Sequence, residues 1–258
     1  MKVKTFIIAV VSLLVTSQIF AGIIIKEMDM EDSTMTTIYI QSNKAKVVSS
    51  NQVFMFNVDN GKIYLIFPEK KVYWIGKPEE IAESVEKFKQ KSMDEYLSKM
   101  TPEQKKAYEQ YMKQQDKSVD KKAEKKADVS IRKTSKKANI AGYSTYKYKI
   151  LVNDKLEEEL WVSPNIKFEN EIDIDKMESL MSKFSKAMGE DEDSYKNNDE
   201  YKKYMIRNYP LKRIHYRENG KSVTITKSVI KKNIDNKVFK VPGDCKKIEL
   251  IELMKMGM

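Results

Sequence analysis

The chain has 258 residues, one cysteine, one histidine and a formal net charge of +10. A single cysteine excludes an internal disulfide, and with a single histidine it excludes a zinc site of the usual His/Cys kind. Only four of the 48 basic residues are arginines, so the charge points away from nucleic acid. It suits a solvated surface that is attracted to anionic lipid headgroups or cell-wall polymers of the envelope.

Lys2 and Lys4 precede an apolar stretch from Phe6 to Val15, and Thr16 to Ala21 ends on a small residue before Gly22. That order is a secretory signal peptide. The sequence therefore predicts removal of residues 1–21 and a soluble periplasmic or secreted chain of residues 22–258. Removal takes away two lysines and no acid, which leaves +8. No Cys stands at the cut to carry a lipid anchor. An uncleaved anchor is the alternative, although the apolar stretch is short of the roughly 20 residues that a spanning helix needs.

A first β region is expected over residues 23–75. Asp59-Asn60-Gly61-Lys62 reads as a type I′ hairpin turn, because Asn and Gly accept positive φ. Folding there pairs Val58 with Ile63, Phe56 with Leu65 and Phe54 with Phe67. A second turn at Pro68–Lys71 adds Val72 and Trp74 to the same apolar face, whereas Val53, Met55, Asn57, Tyr64 and Ile66 make a mixed opposite face. An apolar strand face this wide meets a core or a hydrophobic ligand.

Helical segments are expected at about 78–128. Pro78 suits a first helical position, and Ile81, Val85 and Phe88 repeat at helical spacing, continued by Met93, Leu97 and Met100. Thr101-Pro102-Glu103-Gln104 reads as a new start with a capping box. Tyr108, Tyr111 and Met112 form a short apolar face, and residues 113–128 are a solvated extension or linker.

A second β region follows from about Val129. Tyr146, Tyr148, Ile150 and Val152 alternate with Lys147, Lys149 and Leu151, and Asn153-Asp154 turns the chain into Leu156–Ser163, with Trp161 on a face left open. The next helix is the most amphipathic: Asp173 or Asp175 caps it, and Met177, Leu180, Met181, Phe184 and Met188 share one side. Residues 190–200 read as a loop. Glu190, Asp191, Glu192 and Asp193 lack the alternation and central Gly of a calcium loop. A helical insert at about 173–205 is expected overall.

A third hairpin turns at Asn219-Gly220, pairing Tyr216 with Val223 and Ile214 with Ile225. Its register puts His215 on a polar face opposite Thr224, with no partner suggested for general-base work. No Gly-x-Ser-x-Gly, phosphate loop or dinucleotide fingerprint occurs. Ile234, Phe239 and Val241 are expected to form a last strand. Fifteen methionines suit either surfaces that adapt to variable apolar shapes or ordinary core filling. Cys245 is open between a packing residue, a link to another chain and a reactive thiol.

Ile140-Ala141-Gly142-Tyr143, Tyr146–Lys149 and Leu160–Pro164 resemble a family of secreted bacterial proteins known as a domain of unknown function. So do Tyr209-Pro210-Leu211 and Val238–Pro242. That family looks like the LolA/LolB type of lipoprotein carrier. The chain departs from it in the Lys-rich insert and at Cys245. The resemblance implies an α+β fold, a strongly curved antiparallel sheet (an incomplete barrel) whose concave face is covered by amphipathic helices. It also implies a single LolA-like domain over residues 22–258. The function expected is non-catalytic binding of an apolar ligand, a lipid or lipoprotein acyl chain. Phe54, Phe56, Leu65, Phe67, Trp74, Met177, Met181 and Phe184 are the expected lining. No catalytic residue, metal or cofactor and no nucleic acid is expected. A structural or protein-interaction module of the envelope with a filled core is the alternative.

Overall fold

A computed structural model describes residues 22–119, 127–189 and 195–256. The signal peptide expected at residues 1–21, residues 120–126 of the Lys-rich insert and the acidic run Glu190–Asp193 lie outside the described residues. Among the described residues the fold is α+β, a large curved, unclosed sheet of twelve strands with five helices.

The strands are β1 (Ile23–Asp29), β2 (Met35–Gln41), β3 (Lys44–Val48), β4 (Val53–Asn57), β5 (Lys62–Phe67) and β6 (Val72–Gly76), then β7 (Val129–Ile140), β8 (Tyr143–Val152), β9 (Lys155–Val162), β10 (Pro210–Arg217), β11 (Gly220–Lys231) and β12 (Lys246–Lys247). Their spatial order is β12-β6-β5-β4-β3-β2-β1-β11-β10-β9-β8-β7. All neighbours are antiparallel except β12 on β6. Two meanders are thus joined where β1 pairs with β11.

The helices are α1 (Pro78–Ser98), α2 (Pro102–Val119), α3 (Ile174–Ala187), α4 (Asp199–Arg207) and α5 (Leu250–Lys255). The capping box at Thr101 is present: Gln104 N donates to Thr101 Oγ1 at 3.3 Å, and Thr101 N donates to Gln104 Oε1 at 2.9 Å. Asp173 caps α3, accepting from Lys176 N at 3.1 Å.

The first hairpin register differs from the sequence expectation by two residues. Phe56 pairs with Ile63, Phe54 with Leu65 and Asn57 with Lys62, so the loop holds Val58 to Gly61. Gly61 has φ +64° and Asn60 does not share the positive region, so this is not a type I′ turn. Val58 is buried inside the loop, which explains the extra length. Because a two-residue slip preserves side-chain parity, every residue keeps its expected face. The hairpin at 218–219 slips by two in the same way, pairing Ile214 with Val223 and His215 with Ser222. Asn153 and Asp154, with φ of 49° and 62°, do form the two-residue turn that the sequence specifies.

Two further expectations are corrected. Residues 234–241 form no strand: Ile234 is held by Gln41, whose Nε2 donates to Ile234 O at 3.0 Å and whose Oε1 accepts from Ile234 N at 2.7 Å. Phe239 ends a short 3-10 turn. The loop expected to reach residue 200 gives way to α4 at Asp199, capped by Asn198. Tyr111, on the short apolar face expected for α2, is exposed.

Strand pairing places Ile40, Ala45, Phe56, Ile63, Leu65 and Trp74 on one face, and α1, α3 and α5 close over it through Ile81, Leu180, Leu250 and Leu253. The same face continues through β9 and β8 as Leu160 and Ile150, where α4 covers it with Tyr201 and Tyr204. The opposite face is apolar in part: Val53, Met55 and Ile66 are buried beneath Val241 and Cys245, so the cysteine packs as a small hydrophobe.

Gly76 lies against the Trp74 indole, and a Cβ there would also stand 2.9 Å from the Glu80 carboxylate. Gly76→Ala is expected to cost about 1–3 kcal/mol by overpacking. A lowered urea midpoint with a red-shifted tryptophan emission is the readout. An unchanged midpoint would show that the ring has room to move.

Candidate functional site

All eight residues expected to line a ligand site come together on one sheet face and its cover. Phe56, Leu65 and Trp74 are buried, and Phe54, Phe67, Met177, Met181 and Phe184 pack half-buried against them. The Phe184 ring stands edge-on to Phe54 and Phe56, with centroids 6.5 and 6.0 Å away. Such edge-to-face contacts add to the burial of the rings. Within α3, only Leu180 and Ala187 are fully buried.

The start of α3 is fixed and its end is not fixed in the same way. Asn43, in the β2–β3 turn, accepts from Asp173 N at 2.6 Å and donates to Asp59 at 2.8 Å, tying the cap of α3 to two turns of the sheet. At the other end Met188 is exposed and borders an apolar cleft of about 190 Å³ with Val53, Phe54, Leu65, Ile66 and Phe67. A larger, mixed cleft of about 490 Å³ lies between the β4–β5 loop, the start of α1 and α3. There Lys183 reaches Glu79 at 3.3 Å.

A second arrangement was not legible in the sequence. Glu158 on β9 is 1% exposed and faces α4. Its Oε1 accepts from Tyr195 Oη and its Oε2 from Tyr201 Oη, both at 2.9 Å. Burial and the Glu158 carboxylate push both phenols far above their ordinary range, so they act as donors. His215, expected on the surface without a partner, lies with Nδ1 3.6 Å from Glu158 and 3.4 Å from Tyr195 Oη. Burial lowers the imidazole pKa, and Lys196 and Arg217 add to this; Glu158 and Glu157 oppose it. Ser222 sits opposite His215 on β11, but no hydrogen bond joins the two among the described residues.

On this geometry the carboxylate works as a clamp: one buried acceptor holds both the 3-10 turn at Tyr195–Asn197 and α4. The neighbouring strands carry a further polar strip. Burial pushes the Glu27 carboxyl above its usual range, while Tyr209, Arg213 and Thr226 draw it back down. Arg213 Nε is buried there without a hydrogen-bond partner. The one sequence signal for the clamp is Glu157-Glu158-Glu159 in the middle of a strand, since carboxylates there must be paired if they face inward. Glu159 points to the other face and pairs with buried Lys147.

Tyr201→Phe removes a bond to a charged acceptor and is expected to cost about 1.5–3 kcal/mol, with loss of amide protection in α4 measured by hydrogen exchange. Retained protection would show that apolar contacts alone hold the helix. The His215 pKa is lowered in the folded state, so the unfolded chain takes up the proton first. Stability therefore falls as pH drops below about 6.5 toward the folded value. His215→Gln is expected to flatten that part of the pH–stability curve, and an unchanged curve would refute the assignment.

A comparison with curated proteins finds no match. Two crystal forms of PNGF-II align with 92% of this chain at 12% identity, with TM-scores of 0.39 and 0.37. The chain spans 32% and 33% of the length of those two structures. Residues 48–245, which hold most of the sheet, α1 to α4 and the Glu158 clamp, match the family described as a domain of unknown function (DUF4412), and the chain belongs to that family.

Proposed function

We propose that the protein is a non-catalytic carrier of the cell envelope that holds an apolar ligand, an acyl chain of a lipid or lipoprotein, between β4–β6 and α3. In this reading the sheet is a LolA-like half-barrel. The observation that carries the proposal is the apolar cleft at Phe54, Phe67 and Met188, where α3 leaves aromatic sheet surface part-covered. Its volume of about 190 Å³ compares with the roughly 150 Å³ apolar cavity that admits a benzene-sized guest. Each methylene buried there is worth about 0.8 kcal/mol.

A carrier must also release its ligand, so part of its wall needs few and adaptable contacts. The anchored start of α3 at Asn43 and its half-buried Met177, Met181 and Phe184 suit a cover that opens from the Met188 end. Uptake then deepens the cleft by lifting Phe184 from Phe54 and Phe56. Among the described residues no helix is long and apolar enough to cross a membrane. The signal-like start supports a carrier that works in the periplasm or outside the cell, and the lysine-rich surface favours anionic envelope partners.

A second reading is favoured by the same Phe184 contacts. They fill the face, as a structural or protein-interaction module of the envelope would require.

The carrier reading expects the purified protein to take up a fluorescent fatty acid and Met181→Asp to abolish uptake without unfolding. The reason is that an unpaired charge would sit against the aromatic face. If the unaltered protein takes up no probe and no lipid is found by mass spectrometry of its extract, the module reading replaces it.

Secretion has its own test. N-terminal sequencing of the protein from its native host is expected to begin at Gly22, in the soluble envelope fraction. Mature protein that begins at Met1 in the membrane fraction would overturn it.

A further inference from the structure

Three of the fifteen methionines fall within eight residues, Met28 to Met35, at the β1–β2 hairpin. Met28 and Met35 are directly paired across the two strands. Directly opposed strand residues have Cβ atoms about 5 Å apart on one face. Met30 stands in the turn just beyond β1, two residues after Met28, with its backbone N–H bound to β11. Met30 and Met35 are 52% and 41% exposed, so neither serves a core.

We infer that this hairpin tip is a thioether site for a soft monovalent cation, Cu(I) or Ag(I), with Met28, Met30 and Met35 as its ligands. Three thioethers gathered at one hairpin tip are a soft, neutral donor set, which selects Cu(I) and Ag(I) over hard divalent cations. The backbone that carries them is held in place before any ion arrives. Met30 N donates to Val223 O at 2.8 Å, and Asp29 N donates to Thr34 O at 2.9 Å. Asp29 accepts from Glu31 N and Asp32 from Thr34 N, each at 2.8 Å, which fixes the turn between the strands. Pre-set backbone lowers the ordering cost of binding.

The surroundings fit a cation. Asp29, Glu31 and Asp32 flank the methionines in a chain that is otherwise strongly basic. Glu31 is matched by Arg217 at 3.6 Å, and Asp32 accepts from Thr34 N within the turn. These carboxylates raise the local cation concentration, and they disfavour insertion of the tip into an anionic membrane. Thioethers need lose no proton to bind, so affinity is expected to persist from neutral to mildly acidic pH, unlike that of a thiolate or imidazole site.

The test uses the mature chain carrying Cys245→Ser, which removes the one thiol, with Ag(I) nitrate in chloride-free buffer as probe. Native mass spectrometry is expected to show one Ag(I) per chain at neutral pH and at pH about 5.5. Binding should weaken by about tenfold or more in Met35→Leu, which removes one of three ligands. It should be absent in the triple variant Met28→Leu, Met30→Leu and Met35→Leu. Leucine nearly conserves volume, so the thermal midpoint should hold. Methyl resonances of labelled methionine give an independent reading without the triple variant: those of Met28, Met30 and Met35 should move on titration with Ag(I). Absence of Ag(I) binding, equal binding by a folded triple variant, or movement confined to other methionines would each overturn the inference.

Discussion

One constraint governs this molecule: a long sheet with an apolar face that the strands cannot bury themselves. From β6 through β1 to β8, strand pairing keeps Trp74, Phe56, Ile40, Leu160 and Ile150 on a common side. An unclosed sheet has no second layer of strands to cover that side. The chain supplies the cover from three places, with α1 between β6 and β7, α3 and α4 between β9 and β10, and α5 at the end of the described chain. Each covering helix turns one apolar stripe to the sheet and its polar side to solvent, because it meets a surface rather than the centre of a bundle.

The two ends of the cover are held by different physics. Over β3–β6 the contacts are side-chain packing, with interleaved aromatic and methionine side chains that tolerate rearrangement. Over β8–β10 they include a buried carboxylate whose two oxygens are each hydrogen-bonded. Packing contacts can be exchanged for those of a ligand at little cost. A buried charge with its partners removed is strongly penalised, so α4 is the fixed half of the cover. Any function that needs a moving wall therefore belongs with α3.

Parity made much of the sheet legible. An apolar residue at every second position, with an Asn-Gly or Asn-Asp pair between runs, defines both strand and face, and a two-residue error in register leaves the face unchanged. Phe54, Phe56, Leu65, Phe67 and Trp74 could be grouped for that reason. The helical stripe of Met177, Leu180, Met181 and Phe184 was legible from its 3.6-residue period. Glu158, Tyr195 and Tyr201 were not, because charged and phenolic side chains read as surface when taken singly. Only their convergence makes one of them a buried acceptor and the others its donors.

The sequence by itself determined the local events: which segments extend, where helices are capped at Thr101 and Asp173, and which strand face is apolar. These depend on neighbours within a few residues, where backbone sterics and side-chain period suffice. Tertiary structure alone decided the pairing of β1 with β11, the docking of α5 beside Trp74, the rescue of Ile234 by Gln41 and the pairing of Lys147 with Glu159. Each joins residues whose separation along the chain carries no periodic signal. Each depends on partners, apolar or polar, that meet only after both segments have folded.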